Sequence, residues 1–260
     1  MNKTIFDRHP QLATLRGLVP DEVVEREVGA HEQDFIAWKA EARKKIPTAK
    51  LCDIFPRELE HGSIRLENFL GHWGNVGIEA LCKIALITSY FKPRTVFEFG
   101  TYNGMTTLQL ALNTPDDSKI YTLDLSPEHV NRTKYALTEL DKYVAGDFRQ
   151  KFRTDVGSYF SDSPVRHKIV QILSDSAAFD YSPYYGKIDL VYIDAAHDYE
   201  NKKVDSENAL KMVSPNGIIL WDNYDDVLNP FVTKYLSDLS DRISLFHLRG
   251  TFLVAYWNKK

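Results

Sequence analysis

This chain lacks most of what would tie it to a membrane, a nucleic acid or a thiol-bound metal. Its longest apolar runs are far too short to span a bilayer. The opening stretch MNKTIFDRHPQLATLRGLVP has no apolar core of the signal-peptide kind. A cytoplasmic protein is therefore the expectation. Only two cysteines occur, Cys52 and Cys82, with no CxxC pair. A thiolate zinc site is not expected, and two free thiols in a reducing compartment are. Basic residues are not in excess: 32 Lys and Arg face 36 Asp and Glu, a net charge of −4. Nucleic acid is thus not an expected partner. There is no internal repeat, no low-complexity segment and no GxGxxG.

What is present is the composition of an ordinary globular chain: 260 residues, 43% hydrophobic and 26% charged. Residues 1–70 are polar, with helical spacing over 21–45, and are expected to form a helical extension or cover. Residues 71–260 are expected to form the main domain. There, short apolar strands (95–100, 119–125, 169–175, 188–195, 216–224) alternate with helical stretches (78–91, 104–113, 126–140, 200–213). That alternation predicts an α/β fold with a mostly parallel sheet covered on both faces. Residues 242–258 read as two strands around Arg249-Gly250-Thr251 with no helix between, an antiparallel C-terminal hairpin. The stretch 141–168 interrupts the rhythm and is expected to be an insertion of loop or short helices.

In open α/β sheets ligands sit at the carboxyl ends of the strands. The first main strand ends EFGTYNGMTT, where Gly100 and Gly104 bracket a turn that a ligand could approach closely. The spacing is GxxxG, and Glu98, two residues before Gly100, would repel a phosphate. A phosphate-free cofactor with a cationic end, such as S-adenosylmethionine, fits better. Asp124 ends the second strand, where a carboxylate can accept from both ribose hydroxyls. Asp175 and Ser176 end the third, where they could meet an adenine edge. The fourth strand runs into IDAAHDYE, with Asp194 and His197, and the fifth into WDNY, with Asp222 and Asn223. Read alone, each set could equally be a solvated strand end, a polar turn or a helix start. Asp198 and Glu200 suit a first helical turn.

From about Gly74 to Asn258 the chain resembles the class I S-adenosylmethionine-dependent methyltransferases. VFEFGTYNGMTT resembles their first motif, Asp124 falls at their ribose-binding acid, and the final hairpin matches their reversed last strand. GNVG (74–77), YID and WDN further resemble catechol O-methyltransferase and its metal-dependent relatives. FDYSPYYGKIDLVYIDAAHDYENKKVDSENAL resembles bacterial sugar and natural-product tailoring enzymes. The resemblance implies a Rossmann-like, doubly wound, seven-stranded sheet and S-adenosyl-L-methionine as cofactor. Val76 and Thr106 would contact its methionine end, with Glu98 and Gly100 close by. Asp194, Asp222 and Asn223 would hold Mg2+ or another divalent cation. His197 stands where catechol O-methyltransferase has a lysine base, and Ala195 replaces a glycine frequent in the tailoring enzymes.

The implied activity is O-methyl transfer to a hydroxyl of a small molecule: a sugar, a phenol or a natural-product intermediate. His197 and Asp194 are the expected catalytic pair, with His197 a neutral base. The alternatives are a metal-independent methyltransferase with His197 as sole base, and a non-catalytic binding module that keeps the fold. Homo-oligomer formation is left open by the sequence.

Overall fold

The computed structural model describes residues 4–71, 73–152 and 155–259. Its strands are β1 (Thr48–Ala49), β2 (Thr95–Phe99), β3 (Lys119–Asp124), β4 (Ile169–Leu173), β5 (Ile188–Ile193), β6 (Val213–Trp221), β7 (Phe246–Leu248) and β8 (Val254–Trp257). They form one sheet in the order β1-β7-β8-β6-β5-β2-β3-β4. Strands β4, β3, β2, β5 and β6 are parallel neighbours, and β8 runs antiparallel between β6 and β7. Eight strands stand where seven were expected. The extra one, β1, pairs parallel with β7 at the edge. Two residues carry no readable period, and backbone bonds hold them: His247 N to Pro47 O at 3.0 Å and Arg249 N to Ala49 O at 2.9 Å.

The helices are α1 (Ile5–Arg8), α2 (Asp21–Gly29), α3 (Glu32–Lys45), α4 (Leu51–Ile54), α5 (Ile78–Phe91), α6 (Met105–Leu112), α7 (Glu139–Tyr143), α8 (Arg149–Phe152), α9 (Tyr199–Met212) and α10 (Pro230–Leu239). Side chains alternate across the strands, which divides the core in two. Val96, Ile120, Leu190 and Leu220 pack with α5 and α6. Phe97, Phe99, Val191, Ile219 and Trp221 pack with α3, α9 and α10. Each such fully buried apolar side chain contributes about 1.5–3 kcal/mol. A third cluster joins Ile5, Leu15, Val24 and Phe35 to Leu140 and Val227, so the N-terminal segment packs against α7 and the loop after β6. No helix among the described residues is long and apolar enough to cross a membrane.

The helix expected over 126–140 does not form. A 3-10 turn, Pro127–His129, is followed by irregular chain as far as α7. Thr133 Oγ1 bonds Tyr135 O at 2.8 Å, Lys134 N bonds Asp175 Oδ2 at 2.8 Å, and Thr138 caps α7 by accepting from Asp141 N at 3.0 Å. Local side-chain bonds and a tertiary contact thus claim the backbone groups that a helix would use.

Gly104 opens α6 at φ +84°, and a Cβ there would lie 2.5 Å from the Phe160 ring. Its freedom serves packing against the 155–160 turn. Gly104→Val is therefore expected to lower the melting temperature by several degrees, measured by circular dichroism. A variant as stable as the parent would contradict this packing.

Candidate functional site

The carboxyl ends of the parallel strands converge on a cavity of about 150 Å3. Gly100, at φ +91°, ends β2 between two neighbours. Its N–H donates to Leu123 O at 2.8 Å, and a Cβ on it would lie 2.0 Å from Asp194 O. Only glycine fits, so β3 and β5 can bring their terminal acids to one place. Asp124 is the hub on the β3 side. Its Oδ2 accepts from Tyr102 N at 2.6 Å and Arg149 Nη2 at 2.9 Å, and its Oδ1 from Leu125 N at 2.6 Å.

Gly100, Asp124, Asp175, Ser176, Asp194 and His197 line this cavity together. Val76, Glu98, Gly104, Thr106, Asp222 and Asn223 are not among its lining residues. Val76 lies in the apolar core, and Thr106 is buried in the first turn of α6. Glu98 is fully buried behind the turn, where Thr107 and Thr122 hydroxyls donate to its Oε2. Burial pushes its carboxyl up to about 8, against those two hydrogen bonds. Its position at an inward-facing pleat, opposite Phe97 and Phe99, keeps it from the cavity. Asp175 is braced by Lys134 N at 2.8 Å and Ala177 N at 2.9 Å.

On the β5 and β6 side the acids cluster. Tyr192 Oη donates to Asp194 Oδ2 at 3.1 Å and lies 3.4 Å from Asp222 Oδ2, so one hydroxyl bridges the two carboxylates. Burial, then the charge of Asp194, pushes Asp222 up to about 7. Asn223 follows at φ +67°, and its Oδ1 lies 2.9 Å from His197 Nε2. His197 Nε2 is also 3.9 Å from Asp194 Oδ1. Asp194 thus shares Tyr192 with Asp222 and His197 with Asn223. Among the described residues, no three His, Cys, Asp or Glu side chains form a group that could hold a metal ion. The available set is two carboxylates and an amide, and oxygen-only donors suit a hard cation such as magnesium.

The partner of His197 is a residue the sequence reading missed. Asp141 Oδ1 lies 2.6 Å from Nδ1, and Asp141 Oδ2 accepts from the His197 backbone N–H at 2.9 Å. An oxygen faces each ring nitrogen, an arrangement that favours the doubly protonated ring. Burial opposes that charge, but the charge and hydrogen bond of Asp141 outweigh it and push His197 up to about 10. Burial would likewise raise Asp141, and His197 overrides it, holding the carboxyl below its ordinary value. These surroundings favour the imidazolium over the neutral base expected from the sequence. Asp141 sits on α7, inside the 141–168 insertion, 56 residues from its partner. No sequence signal connects them; Thr138 three residues earlier marks only a helix cap. Arg149, from the same insertion, was missed for the same reason. Asp198 caps α9 by accepting from Asn201 N at 3.0 Å.

The sign of the pH dependence follows. The raised His197 contributes stability fully below its ordinary 6.5 and loses it as pH rises through about 10. The lowered Asp141 contributes above its ordinary 3.8 and loses that as pH falls further. In nitrogen-detected NMR titration, His197 should keep both ring protons beyond pH 8, and Asp141→Asn should bring its pKa below 6.5. A neutral His197 ring at pH 7 in the parent protein would contradict the pairing.

The methyltransferase-domain family model matches residues 97–224, from β2 to just past β6. The caffeoyl-CoA O-methyltransferase of Stellaria longipes is 26% identical over 173 residues, or 65% of this chain and 64% of that protein. The chain thus matches under two-thirds of that relative's length. Among solved structures, the O-methyltransferase TomG from Streptomyces achromogenes, involved in tomaymycin synthesis and in complex with S-adenosylmethionine, superposes with a TM-score of 0.50 at 16% identity, covering 70% of this chain and 81% of that one. A Podospora anserina methyltransferase bound to S-adenosylhomocysteine gives a TM-score of 0.50 at 16% identity, covering 79% and 97%. These two likenesses are of fold.

Proposed function

We propose that this chain, which belongs to the class I S-adenosylmethionine-dependent methyltransferase family, methylates a hydroxyl of a small molecule such as a sugar, a phenol or a natural-product intermediate. The observation that carries the reading is that Gly100, Asp124, Asp194 and His197 open on one cavity at the carboxyl edge of the sheet. S-adenosylmethionine, when bound, supplies the electrophilic methyl group. The residues present fit it. Gly100 leaves backbone room, Asp124 Oδ1 has a lone pair free for a ribose hydroxyl, and Asp175 and Ser176 stand beside it for the base.

His197 is the group that would move a proton, at Nε2. Asp141 fixes Nδ1 as a donor, so exchange is confined to the other nitrogen. The imidazolium must first lose its Nε2 proton before it can take one from an acceptor hydroxyl. A positioned base of this kind contributes about 10²–10⁴-fold. Asp194, Asp222 and Asn223 are the residues that would hold a divalent cation, which when bound lowers the pKa of a coordinated hydroxyl. A metal-independent second reading is favoured by one observation: the His197 imidazolium already lies 3.9 Å from Asp194 and supplies positive charge there. In the same reading, residues 1–70 cover the main domain of 71–260 and, with the 141–168 insertion, shape the acceptor pocket. Their packing on α7 supports this.

The test is transfer of labelled methyl from S-adenosylmethionine to a panel of sugars and phenols, with and without chelator. Turnover is expected on a hydroxylated acceptor and should rise from pH 7 towards pH 10 as His197 loses its Nε2 proton. Chelation should abolish it and magnesium restore it. Full turnover in excess chelator would select the metal-independent reading. No transfer to any acceptor, with cofactor bound, would favour a binding module.

A further inference from the structure

Arg149 is a buried cation on the cavity wall that the proposed reaction does not use. Its side chain is 8% exposed, and Nη2 holds Asp124 Oδ2 at 2.9 Å. Its Nε and Nη1 are buried without a hydrogen-bond partner among the described residues. Leaving buried donors unpaired costs about 1–3 kcal/mol each, and more on a charged group. A guanidinium so placed is short of an anion.

Two further observations say which anion. Among the described residues the cavity wall carries four carboxylates, Asp124, Asp141, Asp175 and Asp194, and one Lys or Arg, Arg149. His197, the other cation, is already held by Asp141 and Asn223. A cofactor with an ammonium, a sulfonium, two ribose hydroxyls and one carboxylate matches the acids in all but its carboxylate. The guanidinium also lies over the Tyr102 ring, 5.7 Å from the centroid. Tyr102 spans the site, with its backbone N–H on Asp124 and its hydroxyl on Trp73 O at 3.2 Å, beside Gly74. The Tyr102 ring thus reaches from Arg149 to Gly74, and all three line the cavity.

We propose that Arg149 exchanges anions when the cofactor binds: it releases Asp124 to the ribose hydroxyls and takes the carboxylate of the cofactor's amino-acid end. The inference rests on the methyltransferase reading. Calorimetry separates the two by using S-adenosylhomocysteine and 5′-methylthioadenosine, which keeps the adenosine and thioether but has no amino-acid end. In Arg149→Gln, S-adenosylhomocysteine should bind at least about tenfold more weakly, the loss of one charge-assisted hydrogen bond. 5′-Methylthioadenosine should bind as well as to the parent or better, because Asp124 is no longer occupied. Arg149→Lys should recover part of the loss, and it carries the comparison if the glutamine variant does not fold. Equal weakening of both ligands would overturn the proposal and make Arg149 a support of the cavity wall. Unchanged S-adenosylhomocysteine affinity would overturn it as well. If the parent protein binds neither ligand, the methyltransferase reading itself fails.

Discussion

The three hydrogen bonds on the Asp124 carboxylate hold the site in register. Tyr102 N ties the glycine turn after β2 to the end of β3, Leu125 N fixes the carboxylate on its own strand, and Arg149 brings in the insertion. Charge-assisted bonds of this kind are stronger than neutral ones. The turn they fasten exists because Gly100 has no Cβ to strike Asp194 O. One close backbone approach therefore sets two acids, Asp124 and Asp194, on either side of the same strand end.

The second half of the site is organised by repulsion and its relief. Asp194 and Asp222 stand close enough for one tyrosine hydroxyl to serve both. Their mutual field, added to burial, raises Asp222. The imidazolium of His197 lies against this acidic pair, held by Asp141 from the opposite side. Asp141 in turn depends on α7, whose Leu140 packs into the N-terminal cluster with Val24 and Phe35. Glu27 of α2 reaches the same helix, accepting from Leu140 N at 3.4 Å. The polar N-terminal segment is thus connected to the histidine through two layers of contact, one apolar and one hydrogen-bonded.

Much of this was legible in the sequence, and the limits have physical causes. Parallel strands buried on both faces write themselves as short apolar runs, so β2 to β6 were found, along with the reversed β8. The two-residue β1 has no period to read. Strand ends carry their acids in the chain itself, so Asp124, Asp175 and Asp194 could be named beforehand. Which of their neighbours face the cavity depends on pleat and helix phase: Glu98 and Thr106 fell on the buried side. Asp141 and Arg149 were invisible because their partners, His197 and Asp124, are brought to them only by the tertiary path of the insertion. The raised pKa of His197 depends on that path as well, since Asp141 supplies the charge and the hydrogen bond that raise it.

The central claim is that Asp124 is the anchor of an adenosyl cofactor. Calorimetric titration of S-adenosylhomocysteine into the parent protein and into Asp124→Ala tests it most directly. The account predicts binding to the parent and a loss of about 1.5–3 kcal/mol in the variant, the worth of hydrogen bonds to a charged group, with its circular dichroism spectrum unchanged. Equal affinity in a folded Asp124→Ala protein would contradict it.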